Sequence, residues 1–261
     1  MTQLSWDVVG QRFYEIGVDR GVLYVDDVGY AWNGLVSVEE NPSGGEAKAY
    51  YLDGVKYLNL STSEEYEATI SAFYSPEEFD ECDGIGTLQP GLQTTQQRRK
   101  SFGFSYRTKV ANDVDGVDHG YKIHIVYNAL ALPAQRNYET MNDNPEAPLI
   151  NWSVTTKPVV VPGMSRSAHF VIDSRFGIPD AVSNLEEILY GTATSPPMLP
   201  TPDQLLGLFT APFEFVVTDL GGGVFSISSG LSVIDMGAGV FQITHANVVL
   251  LGGGVAQISS P

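Results

Sequence analysis

The chain has 261 residues, 43% apolar and 17% charged, which suffices for one large domain with a real core and argues against disorder. The 14 Lys and Arg residues are outnumbered by 31 Asp and Glu, a net charge of −17, so phosphate backbones are repelled and sequence-specific or tight nucleic-acid binding is disfavoured. Cys82 is the single cysteine, which rules out an intrachain disulfide. The opening residues MTQLSWDVVGQRFYEIG lack the basic and apolar regions of a signal peptide, and no apolar run reaches the roughly 18 residues of a membrane span, so a soluble cytoplasmic product is expected.

Short strand signals open the chain: Arg12 to Gly17, Gly21 to Asp26 and Tyr30 to Glu40, broken by Gly and Asp. NPSGGE, residues 41 to 46, reads as a loop. From Ala47 to Ser63 the chain is rich in tyrosine and leucine, and Asp53-Gly54 predicts a tight hairpin turn between two arms. An apolar hairpin of this kind is expected to reach onto a neighbour. Tyr66 to Phe73 alternates as a strand, with Ala68, Ile70 and Ala72 on one face.

Ser75-Pro76-Glu77-Glu78 reads as the start of a short helix, with Ser75 as N-cap, ending near Cys82-Asp83-Gly84. Gly86 to Lys100 reads as a loop. Ser101 to Val110 and Tyr121 to Leu132 are long alternating segments joined by the turn-forming NDVDGVDHG, which predicts a long antiparallel hairpin. Phe102, Phe104, Tyr106 and Thr108 share one face of its first arm.

A polar loop from Glu139 to Pro148 leads to strands at Ile150 to Thr156 and Ala168 to Ile172. Pro179 to Tyr190 is the clearest helix: Ala181, Val182, Leu185, Ile188 and Leu189 make an apolar stripe, and Gly191 stops it. A proline-rich spacer precedes a second short helix from Pro202 to Phe209. The remainder repeats a unit three times: VTDLGGGVFSIS, VIDMGAGVFQIT and VVLLGGGVAQIS, each a strand, a glycine turn and a strand. These segments divide the chain at 209/210, and a six-stranded meander packed on the main domain is expected for 210–261.

Several constellations look like chemistry until their spacing is weighed. Asp113, Asp115 and Asp118 around Gly116 offer oxygen ligands but lack the distal glutamate of a calcium loop, and a hairpin turn needs the same residues. His119 and His124 fall on opposite faces of a strand, and with His169 and His245 they form no ligand pattern. Glu64, Glu65 and Glu67, or Glu77 and Glu78, would suit an acid–base pair but are equally ordinary on a strand surface or at a helix start. The glycine clusters precede strands, not helices, so they are turns and not phosphate cradles. The sequence therefore assigns no catalytic, cofactor-binding or metal-binding residue. Arg98, Arg99 and Lys100 form the one basic cluster, suited either to a solvated loop end or to an acidic surface of a neighbouring subunit.

Read in order, YLDGVKYLNL, ATISAFYSPEEFDECDG, PGLQTTQQRRKSFGFSYRT, DHGYKIHIVYN, WSVTTKPVVVPG, HFVIDS and LEEILYG resemble the major tail (tail tube) proteins of long-tailed bacteriophages that infect actinobacteria. The resemblance runs from about Trp32 to Phe209, and the C-terminal repeats resemble the usual ending of that family more loosely. It implies a mainly β tail-tube fold, an antiparallel β-sandwich or barrel with a flanking α-helix, that forms rings. It further implies a structural virion protein whose hexameric rings stack into the tube through which DNA is ejected. The implied partners are further copies of the chain, the tape measure protein inside the tube, the tail tip or baseplate and tail terminator proteins, and double-stranded DNA in transit without specific binding. An acidic wall suits a conduit that DNA must slide past.

Two rival classes compete. A secreted or surface adhesin-like β-repeat protein is prompted by the glycine-rich repeat and would carry a signal peptide or anchor. An acidic hydrolase would show a pocket with one perturbed carboxyl group.

Overall fold

In the computed structural model, the described residues are 4–45, 47–138, 140, 147–176 and 179–210, together with six short strands beyond them. The chain divides into two compact units, Met1–Phe209 and Thr210–Pro261. The strands of the first unit are β1 (Tyr14–Val25), β2 (Val28–Ala31), β3 (Leu35–Glu40), β4 (Ser43–Gly44), β5 (Ala47–Leu52), β6 (Val55–Ser61), β7 (Glu64–Glu65), β8 (Glu67–Ala72), β9 (Gly86–Gln89), β10 (Leu92–Thr94), β11 (Phe102–Asn112), β12 (Gly116–Ala131), β13 (Ile150–Thr156) and β14 (His169–Asp173). Two helices follow, α1 (Pro179–Tyr190) and α2 (Pro202–Phe209).

One antiparallel sheet runs in the order β2-β1-β11-β12-β13-β8-β3, with β14 also paired to β12. The sheet curls until β3 lies against β1. Gly21 makes this approach possible: a Cβ there would sit 2.6 Å from Leu35 Cδ2. The two faces bury separate cores, as strand alternation dictates. On the inner face, Leu23, Ile70, Phe79, Phe102, Phe104, Val126 and Trp152 form an aromatic core around Trp32. On the outer face, Val22, Tyr24, Ile123, Ile125 and Tyr127 receive Val182, Leu185 and Leu189 of α1 and Leu205 of α2. Tyr24 is tied to the helix by a hydrogen bond from its hydroxyl to the Leu189 carbonyl, 3.0 Å.

The long hairpin is β11 and β12, longer than its sequence signal at the turn, where the arms reach Asn112 and Gly116, and one residue shorter at its open end. A bulge interrupts it: the register shifts between Phe102↔Ala129 and Phe104↔Val126, and Asn128 adopts φ +49°. At this point β12 changes its other partner, from β14 before the bulge to β13 after it. The mainly β architecture with a flanking α1 is the one expected.

Several local expectations are corrected. The segments Arg12 to Gly17 and Gly21 to Asp26 join into the single β1, which bends where Gly17 (φ +72°) and Arg20 (φ +48°) take left-handed conformations. Tyr30 to Glu40 is instead broken into β2 and β3, because the turn buries Trp32 and anchors its indole N–H on the Tyr74 carbonyl, 3.0 Å. The loop at 41–46 contains β4, paired with β7. Glu77–Phe79 is a single 3-10 turn with Pro76, not Ser75, at its N-cap and no side-chain cap bond. Gly86 to Lys100 includes the hairpin β9–β10 across Pro90-Gly91.

In the second unit, strands at Val216–Asp219, Phe225–Ser228, Val233–Asp235, Phe241–Ile243, Asn247–Gly252 and Val255–Ser259 pair two by two. Among the described residues they form three separate two-stranded sheets rather than one meander. The centres of their glycine turns lie outside the described residues, as does most of the loop at 139–148.

Candidate assembly surface

Among the described residues, the hairpin β5–β6 pairs only with itself. Its turn is the one that Asp53-Gly54 predicts: both residues have positive φ (+49° and +77°), which brings Leu52 opposite Val55. Further along, Tyr50 faces Leu58 and Tyr51 faces Lys56. Tyr51, Val55 and Tyr57 are 64%, 69% and 69% exposed, and Leu52 and Leu60 are exposed beside them. A lone two-stranded ribbon is marginal in water, and contiguous apolar surface of this kind marks a contact with another molecule. Of the outermost strands of the curled sheet, β2 is not a free edge: Val28 bridges to Met198 and the Gly29 N–H donates to the Pro197 carbonyl at 2.9 Å.

Two of the three residues of the basic cluster pair within the chain, while Arg98 is exposed. Arg99 Nη1 donates to Asp83 Oδ1 at 2.9 Å, and Arg136 meets the other oxygen of the same buried carboxylate. Lys100 Nζ reaches Asp26 at 2.6 Å and Glu81 at 3.2 Å. Arg99 and Lys100 thus pair within the chain instead of waiting for a neighbour's acidic surface.

Asp113, Asp115 and Asp118 do not converge. Asp113 accepts a hydrogen bond from the Gly10 N–H (2.9 Å), whereas Asp115 accepts from Asn112 Nδ2 (3.0 Å) and lies 2.9 Å from His119 Nδ1. Asn112 Oδ1 caps the backbone N–H of Val114 and Asp115, so the segment is a side-chain-stabilised turn. Glu64 and Glu65 lie in β7, and Glu67 accepts from the Ser43 hydroxyl at 3.0 Å. Glu77 and Glu78 line an open cleft of about 1120 Å³ with Lys100 and Arg136. Cys82 is buried, and loss of solvent pushes its thiol up to about 12.

The histidines hold the main surprise. His119 and His124 do face opposite ways, but His124 and His169 meet on the inner face of the sheet, where Glu40 joins them. The expectation of no ligand pattern among the histidines is corrected at these two residues, while His245 lies outside the described residues. Sequence spacing cannot show this group, because its three members come from three strands. Glu40 is held at about 2 by His124 and by the Tyr106 hydroxyl, against its partial burial. Such a carboxylate stays ionised, opposite to a general acid.

No protein-family profile matches the chain, and no curated protein matches it in sequence. Among solved structures it is similar to a chain of the anti-feeding prophage baseplate, at 9% identity over 65% of this chain and 97% of that one, with a TM-score of 0.32. It is also similar to a chain of the sheath–tube complex of an extracellular contractile injection system, at 15% identity over 59% and 88%, TM-score 0.29. A chain of the sheath/tube terminator of such a system aligns at 15% identity over 56% and 96%, TM-score 0.30. With scores this low, these likenesses carry no conclusion about function. No helix among the described residues is long and apolar enough to cross a membrane.

Proposed function

We infer that this chain is a structural subunit of a phage tail, which self-associates into stacked hexameric rings that form the tail tube and guide DNA during ejection. The observation that carries the reading is the β5–β6 arm, an apolar hairpin that the rest of the first unit's described residues leave uncovered. A ring closed by strand pairing removes exposed sheet edges, and a head-to-tail contact between rings propagates as a tube. Each backbone hydrogen bond across such a boundary contributes only about 0.5–1.5 kcal/mol, so a long arm repeated around a ring outweighs any single contact. The net charge of −17 suits a conduit that does not retain DNA. Further copies of the chain, a tape measure protein, and the tail tip or baseplate and terminator proteins are the partners this role requires, in a virion tail.

Electron microscopy of concentrated protein tests the reading: rings or tubes are expected. Deleting Tyr50 to Asn59 should leave folded monomers that do not polymerise. Normal tubes from the deletion variant would remove the arm from the contact, and dispersed wild-type monomers at all concentrations would count against a tube subunit.

A further inference from the structure

Glu40, His124 and His169 form a compact polar group beside the aromatic core of the inner face. The β12–β14 register sets two of them: His124 lies opposite Val171 and Val126 opposite His169, so the imidazoles are diagonal neighbours on one face. Glu40 is the last residue of β3, at the far end of the strand order, and curling of the sheet brings it there. His124 Nδ1 lies 3.1 Å from His169 Nε2 and 3.4 Å from Glu40 Oε1, and His169 Nε2 lies 3.9 Å from the same oxygen.

These separations have a chemical meaning. Nitrogen and oxygen ligands about 2.0–2.2 Å from a tetrahedral ion stand about 3.3–3.6 Å from one another. The three atoms are therefore near the spacing that one ion would impose. We propose that Glu40, His124 and His169 bind a single divalent transition-metal ion, with zinc the best chemical fit, and that the ion clamps β3 to β12 and β14. Two imidazoles with one carboxylate suit zinc and its neighbours rather than calcium or magnesium, which prefer all-oxygen shells.

The surroundings are those of a built site. His124 Nε2 lies 3.1 Å from Thr108 Oγ1, so the ring's other nitrogen has its own partner and Nδ1 is left for the ion. The Tyr106 hydroxyl donates to Glu40 Oε1 at 2.5 Å and itself lies 3.3 Å from the Tyr66 hydroxyl. Tyr106 stacks on His124 with 4.5 Å between centroids, and Tyr66 packs on His169 at 4.4 Å, which limits ring rotation. The Glu40 side chain is 38% exposed while both imidazoles are largely buried, so an ion has one open side for entry and for a water as fourth ligand. This inference is independent of the assembly reading.

The test uses the full chain, stripped with a chelator and titrated with Zn²⁺ by calorimetry, with Co²⁺ as a spectroscopic probe. One ion per chain is expected, with a rise in Tm and visible d–d absorption from bound cobalt. His169→Ala should abolish binding, and Glu40→Gln, a near-isosteric change on a partly exposed side chain, should weaken it at least tenfold. Absence of one-to-one binding by the wild-type chain would overturn the proposal and leave a hydrogen-bonded cluster. Wild-type affinity in Glu40→Gln would also overturn it, and that variant decides the matter should His169→Ala fail to fold.

Discussion

Asp19 and Arg107 face one another across β1 and β11 and form a bidentate pair, with Nε 2.7 Å from Oδ1 and Nη2 2.8 Å from Oδ2. The guanidinium also lies 4.7 Å over the Tyr121 ring and within 3.9 Å of Glu186 on α1. Arg107 thus joins the sheet to the helix that covers it. Lysine cannot reproduce the planar fork or the stacking. Arg107→Lys should cost about 1.5–3 kcal/mol, read as a lower urea midpoint. An unchanged midpoint would show that the pair is screened into irrelevance.

Trp152 is fully buried between Trp32 and Phe79, yet its Nε1 has no hydrogen-bond partner among the described residues. Trp152→Phe removes volume but also removes an orphan donor, so the two effects offset and the loss should stay under about 2 kcal/mol. Trp152→Ala leaves a large cavity and should cost about 3–5 kcal/mol. Equal losses in the two variants, measured by chemical denaturation, would contradict this account.

His169 is depressed from 6.5 to about 4, chiefly by burial, with Glu40 opposing and His124 adding to the shift. The unfolded chain therefore binds a proton that the folded chain refuses between those two values. The contribution of His169 to stability should fall as pH drops from 6.5 towards 4 and level off below, by on the order of 3 kcal/mol. Glu40, lowered from 4.5 to about 2, acts in the same direction over a lower window, losing its contribution as pH falls through that range. Tyr66 and Tyr106 also face the group but stay neutral throughout, since burial raises both. Denaturant titrations in chelator at stepped pH check the sign, and His169→Gln should flatten the upper window.

Cys82 is buried, with its thiol pushed up to about 12. It should resist thiol reagents in the native chain and react fully on unfolding. Fast native labelling would show that the turn around Glu77–Phe79 opens readily.

Local pattern alone determined much of this molecule. Alternation placed β8, β11, β12 and β13, the apolar stripe and Gly191 bounded α1, and Asp53-Gly54 placed the turn of the β5–β6 arm, because each depends on neighbours within one element. Boundaries drifted where tertiary contacts outweighed local preference, as where Trp32 was drawn into the core and split a run into β2 and β3. The tertiary structure alone decided which distant residues meet. Curling of the sheet and the change of partner at Asn128 set Glu40, His124 and His169 side by side. It likewise turned Arg99 and Lys100 towards acidic groups of their own chain. Strand periodicity specifies which face a side chain occupies, but only the pairing order and curvature of the sheet specify what stands opposite.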